Sequence, residues 1–315
     1  MKRLAKLKKI KGDASFREFY RNRENKSIIV ISKKEKLKNL LIYDAINKIL
    51  IKNKILAPNL LSENYISNYI EINDFGDQTL FQILKNKKNN KYVIFKKIIK
   101  ILNKIQLIKD KKVKNFKNKL YKVQEYNNKI LFDETKLFSD WYAPRMLSKS
   151  KSIQFKKKFR LEIKNLLSKL YYKNVTFVHR DFHVSNLMYH NKKIAVIDSQ
   201  DALMGNRAYD LASLIDDVRL KTPNELKEKV FKFYVKTNKK IDLEKFKKDF
   251  EILSVLRNLK IIGIFTRLSV RDKKNKYLKL IPHAWELIDY RTLNNPVFKD
   301  LNYLLSKNFD RKIRK

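Results

Sequence analysis

VHRDFHVSNLMYHNKKIAVIDSQDA, residues 178–202, is the stretch on which the reading of this chain turns. It carries His179, Arg180 and Asp181 in a row, then Asn186, and then Asp198 at the end of an apolar run. Phosphoryl transfer from ATP needs a carboxylate that orients an acceptor hydroxyl and takes its proton. It also needs a hard oxygen ligand for Mg²⁺ and a second carboxylate that anchors the metal bridging the phosphates. Asp181, Asn186 and Asp198 supply these three groups in the chain order of the kinase fold. The plain alternative is a strand–loop–strand whose Asp and Asn only cap turns. The H-R-D-x-x-x-x-N spacing, followed by a β-type run ending in an acid, favours the chemical reading.

Working outward, VTFVH (175–179) and KKIAVID (192–198) read as short strands flanking NLMYHN. Upstream, SFREFYR alternates apolar and polar positions and SIIVIS is a compact apolar run, which predicts two strands within residues 14–32. Leu37, Leu40, Leu41, Ile46, Ile49 and Leu50 recur near a 3.6-residue period, so residues 36–52 read as a helix. Residues 65–72 read as a further strand, and Asn73 to Asp77 as a turn cluster that forms a hinge. Beyond Thr79 the pattern is mostly helical. Ile94, Ile98, Ile101, Leu102, Ile105 and Ile108 mark one amphipathic helix, residues 152–172 another, and further helices are predicted at 208–219, 224–237, 243–262 and 277–291. The tail from Ser306 is polar and basic and is expected to fray. An α+β, bilobal architecture follows from this order of elements, and with the motif of residues 179–198 a protein-kinase-like fold is expected. Residues 1–73 form a small β-rich nucleotide-binding lobe, and residues 74–315 a large, mainly helical catalytic and substrate lobe.

Composition bounds the rest. A chain of 315 residues with 43% hydrophobic content is large enough for a sizeable core. With no cysteine, a disulfide framework, a thiolate nucleophile and a Cys-based zinc site are excluded, and the four histidines lack metal-ligand spacing. Lysines interrupt the N-terminal stretch before a signal-peptide core forms, and no apolar run is long enough to span a membrane. A cytoplasmic protein is expected. The net charge of +42 is spread over nearly every segment, together with abundant Lys, Asn and Ile, so it reads as compositional drift rather than as a specific nucleic-acid site. The positive field still favours anionic substrates such as nucleotide phosphates.

HRDFHVSNLM followed by IDSQDALMGNRAYDLASLIDDV resembles the aminoglycoside-phosphotransferase-like group. Within that group the chain is most similar to the bacterial N-acetylmuramate/N-acetylglucosamine anomeric kinases. GDASFREFYR (12–21) resembles their N-terminal strand–loop motif and INDFGDQTL (72–80) their hinge. RNLKIIGIFTRLSVRDKKNKYLKLIP (257–282) resembles their C-terminal signature. The resemblance covers nearly the whole chain. It implies ATP-dependent phosphorylation of the C1 hydroxyl of an amino sugar, giving a sugar 1-phosphate that feeds cell-wall recycling. On that reading Asp181 is the base and Asn186 and Asp198 are the magnesium ligands; a monomer is expected separately. Two departures stand out: Ser199 replaces the family's usual Phe after the metal acid, and no phosphate-binding lysine can be placed in SIIVIS.

Other residues are candidates for the same site. Ser15 and Arg17 are the candidates for contact with the nucleotide. His179 reads as a brace of the catalytic loop, and His183 as a residue lining the site. Asp140, Trp141 and Tyr142 interrupt a helical region and are candidates for the sugar, against core packing at a helix end. Asp210 reads as a structural tie. Arg267, Arg271 and Asp272 fit either surface ion pairing or contact with a substrate carboxylate. Two alternatives stay open: a kinase for another small hydroxyl substrate (an aminoglycoside, choline or homoserine), and an inactive kinase-fold binding protein.

Overall fold

The alternation in residues 18–31 builds the centre of a five-stranded antiparallel sheet. The computed structural model describes residues 7–10, 17–22, 24–86, 88–310, 312 and 314. β1 (Leu7–Ile10), β2 (Glu18–Asn22), β3 (Ser27–Ile31), β4 (Leu60–Asn64) and β5 (Tyr69–Asn73) are arranged in the order β1-β2-β3-β5-β4. α1 (Lys38–Lys52) lies against the sheet, where Leu40 and Tyr43 pack on Val30, Ile70 and Ile72. Such a face is what an amphipathic helix must bury. α1 ends at Asn53, Lys54 takes a left-handed conformation, and the Ile55 amide donates back to Leu50 O at 3.0 Å. The strand expected over 65–72 begins only at Tyr69. Residues 65–68 form the turn from β4, with Asn68 at φ +63, a conformation Asn tolerates better than most residues.

The hinge turn after β5 is held by Arg21 of β2. Its guanidinium donates to Asp77 Oδ1 at 2.7 Å, to Asp74 Oδ1 at 3.1 Å and to Gly76 O at 3.0 Å. Gly76 sits at φ +80, where a side chain would be strained. The turn leads into α2 (Leu80–Lys85), whose Thr79 and Gln82 form a reciprocal capping box. α3 (Lys91–Gln106) buries Phe95, Ile98, Ile99, Leu102 and Ile105. A small hairpin of β6 (Lys112–Lys114) and β7 (Leu120–Lys122) follows, which the sequence pattern had not indicated.

Contacts divide the chain into two compact units, and the division is not a single cut after residue 73. Residues 1–124 and 176–204 form the first unit, and residues 125–175 and 205–315 the second. The physical reason is a hairpin. β9 (Leu187–His190) and β10 (Lys193–Val196) pair with each other and pack Met188 and Ala195 on Phe75 of the hinge turn, beside Leu56. The Val196 amide donates to Leu56 O, and the Tyr189 amide to Gln78 O, each at 2.8 Å. β8 (Thr176–Val178) pairs with β11 (Leu203–Gly205).

The second unit is helical: α4 (Asn128–Thr135), α5 (Ala143–Met146), α6 (Lys149–Ser168), α7 (Ala208–Ile215), α8 (Asn224–Lys236), α9 (Leu243–Asp272), α10 (Ile281–Thr292) and α11 (Lys299–Asn308). α9 runs ten residues past its expected end, through Gly263, because it is buried nearly all round from Ile252 to Ser269; it stops at Lys273, which is left-handed. Gly263 lets α9 touch the turn before α5; a Cβ there would lie 2.6 Å from Leu137 O. α10 starts at Ile281, later than expected, because Pro282 suits the first helical turn and not an interior position. The tail does not fray at Ser306. α11 continues to Asn308, and Phe309 is fully buried against Phe138, Tyr142, Phe155 and Trp285. No helix among the described residues is long and apolar enough to cross a membrane.

Candidate active site

The β9–β10 register explains the spacing between Asn186 and Asp198. Leu187 faces Val196 and His190 faces Lys193. One step further along the same ladder, the Ile197 amide donates to Asn186 O at 3.0 Å. Asn186 therefore stands across from Ile197, and Asp198 is the next residue. The hairpin brings the two metal-ligand candidates to one end of one small ladder, as a single element.

The loop before β9 is tied to the same place. His179 is fully buried, and its Nε2–H donates to Ile197 O at 3.0 Å. Ile197 thus receives the loop on one side and Asn186 on the other, which is the bracing role the sequence reading gave His179. The Asp181 carbonyl accepts the His183 amide at 2.9 Å and Asn186 Nδ2 at 3.1 Å, so the backbone of the candidate base is anchored twice while its side chain stays partly exposed. His183 itself is buried, with Nε2 3.4 Å from Asn186 Nδ2. It supports the Asn186 amide. Arg180, at φ +72, donates to Asp201 O at 3.0 Å, and Asp198 lies at φ +61. Two non-glycine residues in left-handed backbone cost about 1–3 kcal/mol each, strain that functional loops characteristically carry.

Asp198 Oδ1 accepts Arg17 Nη2 at 2.7 Å. The Arg17 side chain is only 3% exposed and the Asp198 side chain 40%. The guanidinium carbon lies 5.1 Å from the ring centre of Tyr43 and 5.7 Å from that of Phe19. Burial pushes the Tyr43 phenol up to about 12, a rise that the nearby Arg17 charge opposes. Ser199 Oγ donates to Asn47 Oδ1 at 2.7 Å, with both side chains buried. The serine that departs from the family pattern is therefore a hydrogen-bonded anchor to α1, where a phenyl ring would only pack.

The donor set fits a magnesium ion that arrives with a nucleotide. Asn186 spends its Nδ2 within the loop, and its Oδ1 has no hydrogen-bond partner among the described residues; the same holds for Asp198 Oδ2. Two hard oxygens with one formal charge do not make a closed protein cage, and no cluster of three or more His, Cys, Asp or Glu suited to a metal occurs among the described residues. Magnesium characteristically takes one or two protein ligands and completes its shell with phosphate oxygens and water.

A profile of the phosphotransferase enzyme family matches residues 6–243. The chain belongs to this family. It is similar to the N-acetylmuramate/N-acetylglucosamine kinase of Neisseria meningitidis serogroup B, 26% identical over 282 residues that cover 86% of this chain and 81% of the relative. The kinase of that name from Pseudomonas aeruginosa is 26% identical over 309 residues, covering 96% and 88%. Among solved structures, a choline/ethanolamine kinase family protein from Mesorhizobium loti superposes with a TM-score of 0.63 at 12% identity, covering 96% of this chain and 92% of that one. The ADP-bound aminoglycoside phosphotransferase APH(2'')-Ib superposes with a TM-score of 0.60 at 17% identity, covering 90% and 91%. These superpositions establish the bilobal α+β protein-kinase-like fold. As a member of the phosphotransferase family, this chain is a small-molecule kinase.

The acceptor-side expectations divide. Ser15 lies outside the described residues. Tyr142 is fully buried in an aromatic core and its oxygen accepts Trp285 Nε1–H at 3.1 Å, so it is a packing residue and not a sugar contact. Asp140 is neutralised by Lys156 at 2.7 Å and Arg160 at 2.9 Å. Trp141 stays partly exposed on a π-helical turn spanning Phe138–Tyr142, a local irregularity that often marks functional positions. Asp210 is buried in the first turn of α7. Arg271 pairs with its neighbour Asp272 at 2.7 Å on the surface, as the bland reading had it. Tyr43 and Asn47 escaped the sequence reading, because their four-residue spacing on α1 looks like ordinary helix core.

Proposed function

We propose that this kinase transfers the γ-phosphoryl group of ATP to the anomeric hydroxyl of an amino sugar of the N-acetylmuramate/N-acetylglucosamine type. The observation that carries the reading is the anchoring of Asp181, Asn186 and Asp198 through one loop and one hairpin, converging on Ile197. The substrate class rests on relatives of that name, which match between 74% and 96% of the chain. The work of residues 1–73 is to hold the nucleotide.

In this reading Asp181 accepts the hydroxyl proton and orients the oxygen for in-line attack. An anomeric hydroxyl is more acidic than an ordinary alcohol, so a carboxylate needs no unusual basicity. Asn186 Oδ1 and Asp198 Oδ2 would hold Mg²⁺, which would supply charge neutralisation at the phosphates. Ser15 contacts the nucleotide, and Arg17 serves the same site through Asp198. Trp141 offers an aromatic face to the sugar, with Asp140 beside it, and His183 keeps the Asn186 amide in place. Positioning and charge neutralisation carry most of the rate enhancement. We further assign a monomer acting in the cytoplasm, in cell-wall recycling.

The test is to incubate the purified protein with Mg-ATP and a panel of sugars, aminoglycosides and choline, following ADP release and the phosphorylated position by NMR. Sugar 1-phosphate from N-acetylmuramate or N-acetylglucosamine is expected. Turnover only with aminoglycosides or choline, or none with any acceptor, overturns the proposal.

A further inference from the structure

Kinases of this fold hold the nucleotide phosphates with a lysine on a central strand, oriented by a glutamate on the adjacent helix. Neither partner exists at the corresponding place here. β3 reads Ser27-Ile28-Ile29-Val30-Ile31, and α1 contains no glutamate. The one acid on α1, Asp44, is already engaged by the Phe116 amide at 2.7 Å and by Lys48 at 2.9 Å.

What α1 offers instead is Tyr43 and Asn47, one helical turn apart on one face. The Tyr43 ring lies under the Arg17 guanidinium, whose Nη2 reaches Asp198 Oδ1. Asn47 Oδ1 accepts the Ser199 hydroxyl. Two adjacent residues, the metal carboxylate and its neighbour, are thus held from a single helix face, one by a hydrogen bond and one through a buried cation.

We propose that Arg17, Tyr43, Asn47 and Ser199 form a clamp that presents Asp198 to the metal, and that Arg17 is a positioning residue acting through Asp198 and not a phosphate contact. This deepens the proposed function and rests on the reading of Asp198 as the magnesium ligand. Three features carry it. The Arg17 side chain is too deeply buried to receive a phosphate, whereas the carboxylate it grips is well exposed. Arg17 takes one carboxylate oxygen and leaves Oδ2 for the ion. A guanidinium held near the faces of two aromatic rings is fixed in direction, which a point charge on a flexible stem is not. By partly neutralising Asp198, the clamp also makes tight metal binding depend on phosphate charge, so the ion enters with the nucleotide.

The experiment is isothermal titration of the full chain with ATP, once in EDTA and once with saturating Mg²⁺. The wild type is expected to gain affinity on adding Mg²⁺. Arg17→Met is expected to bind ATP in EDTA within about 3-fold of wild type and to lose at least ~10-fold of the magnesium-dependent gain, with Arg17→Lys restoring part of it. Because a buried arginine is being removed, Tyr43→Leu and Tyr43→Phe give a second, milder pair. Tyr43→Leu should lose the gain, and Tyr43→Phe, which keeps the ring face, should retain it. A 10-fold loss in EDTA with the gain intact would make Arg17 a phosphate contact and overturn the clamp. A retained gain in Tyr43→Leu overturns it as well. A wild type with no magnesium-dependent gain overturns the reading of Asp198 itself, which separates the two failures.

Discussion

The Ile197 amide donates to Asn186 O at 3.0 Å, and the Ile197 carbonyl accepts His179 Nε2–H at the same distance. One residue thereby fixes both the loop that carries Asp181 and the end of the β9–β10 hairpin that carries Asn186 and Asp198. The relay is partly buried, with His179 fully enclosed, and a hydrogen bond left unmade away from water costs about 1–3 kcal/mol.

Asp198→Asn tests the metal role with the backbone held constant. Asp198 lies at φ +61, and asparagine accepts that conformation as readily as aspartate. The variant should fold with an unchanged circular dichroism spectrum while kcat falls by at least ~100-fold, the price of losing a full ligand charge. A Tm drop of many degrees, with activity restored on cooling, would instead make Asp198 a structural residue.

Asp181→Asn removes the proposed base without removing its shape. Its backbone anchors, the bonds from His183 N and Asn186 Nδ2 to the carbonyl, are untouched by the change. ATP binding should persist near the wild-type level while turnover drops by at least ~100-fold, in line with loss of general-base catalysis. Near-normal turnover would remove Asp181 from the role.

Tyr142→Phe separates core from sugar subsite. The phenol oxygen receives Trp285 Nε1–H, and both rings lie in the cluster around Phe138 and Phe309. Removing the oxygen leaves a buried donor unpaired, so stability should fall by about 1–2 kcal/mol in urea unfolding with KM for the sugar unchanged. A raised KM at constant stability would return Tyr142 to the substrate site.

Much of the site was legible because its chemistry demands particular residue types at fixed spacings: H-R-D-x-x-x-x-N and an acid after a strand have few other reasons to occur together. The fold class followed from the change of period near residue 79. What stayed hidden was tertiary. α9 shows little amphipathicity because it is surrounded, and Gly263 looked like any glycine until the Leu137–Phe138 backbone was seen against it. Arg17 reads as a plausible phosphate ligand in sequence, because nothing local shows that its guanidinium bonds Asp198 Oδ1. The register that joins Asn186 to Ile197 depends on a two-residue turn, Asn191-Lys192, with both residues at positive φ, and only Asn191 announces it.

Gly263→Ala should be among the most damaging single-methyl additions in the chain. The atoms in the way are the Leu137 and Phe138 backbone, which cannot rotate aside as a side chain would. Overpacking of this kind costs about 1–3 kcal/mol or more, so a Tm lowered by several degrees is expected. An unchanged Tm would mean that α9 can shift away from that turn at little cost.

The last prediction concerns acid stability. Burial on its own would raise the Asp216 carboxyl, but Arg291 at 2.9 Å and Lys227 at 3.0 Å outweigh it and hold the group at about 2. A carboxyl depressed in the folded state adds stability above its unfolded value, near 3.9, and that stability disappears as pH falls toward the folded value. The ionised group should therefore contribute on the order of 2 kcal/mol at neutral pH, with roughly half gone by pH 3. Asp44, Asp249 and Glu251 are raised by burial and tilt the profile the other way, so the raw curve would mislead. The difference between wild type and Asp216→Asn largely isolates the group, because Asp44 and Asp249 have other partners and only Glu251 shares Arg291 with it. That difference, from urea unfolding, should shrink steadily between pH 5 and pH 3. A difference independent of pH would mean that the carboxyl stays charged in the unfolded chain over that range, or that its pairing with Arg291 and Lys227 gives no net stability.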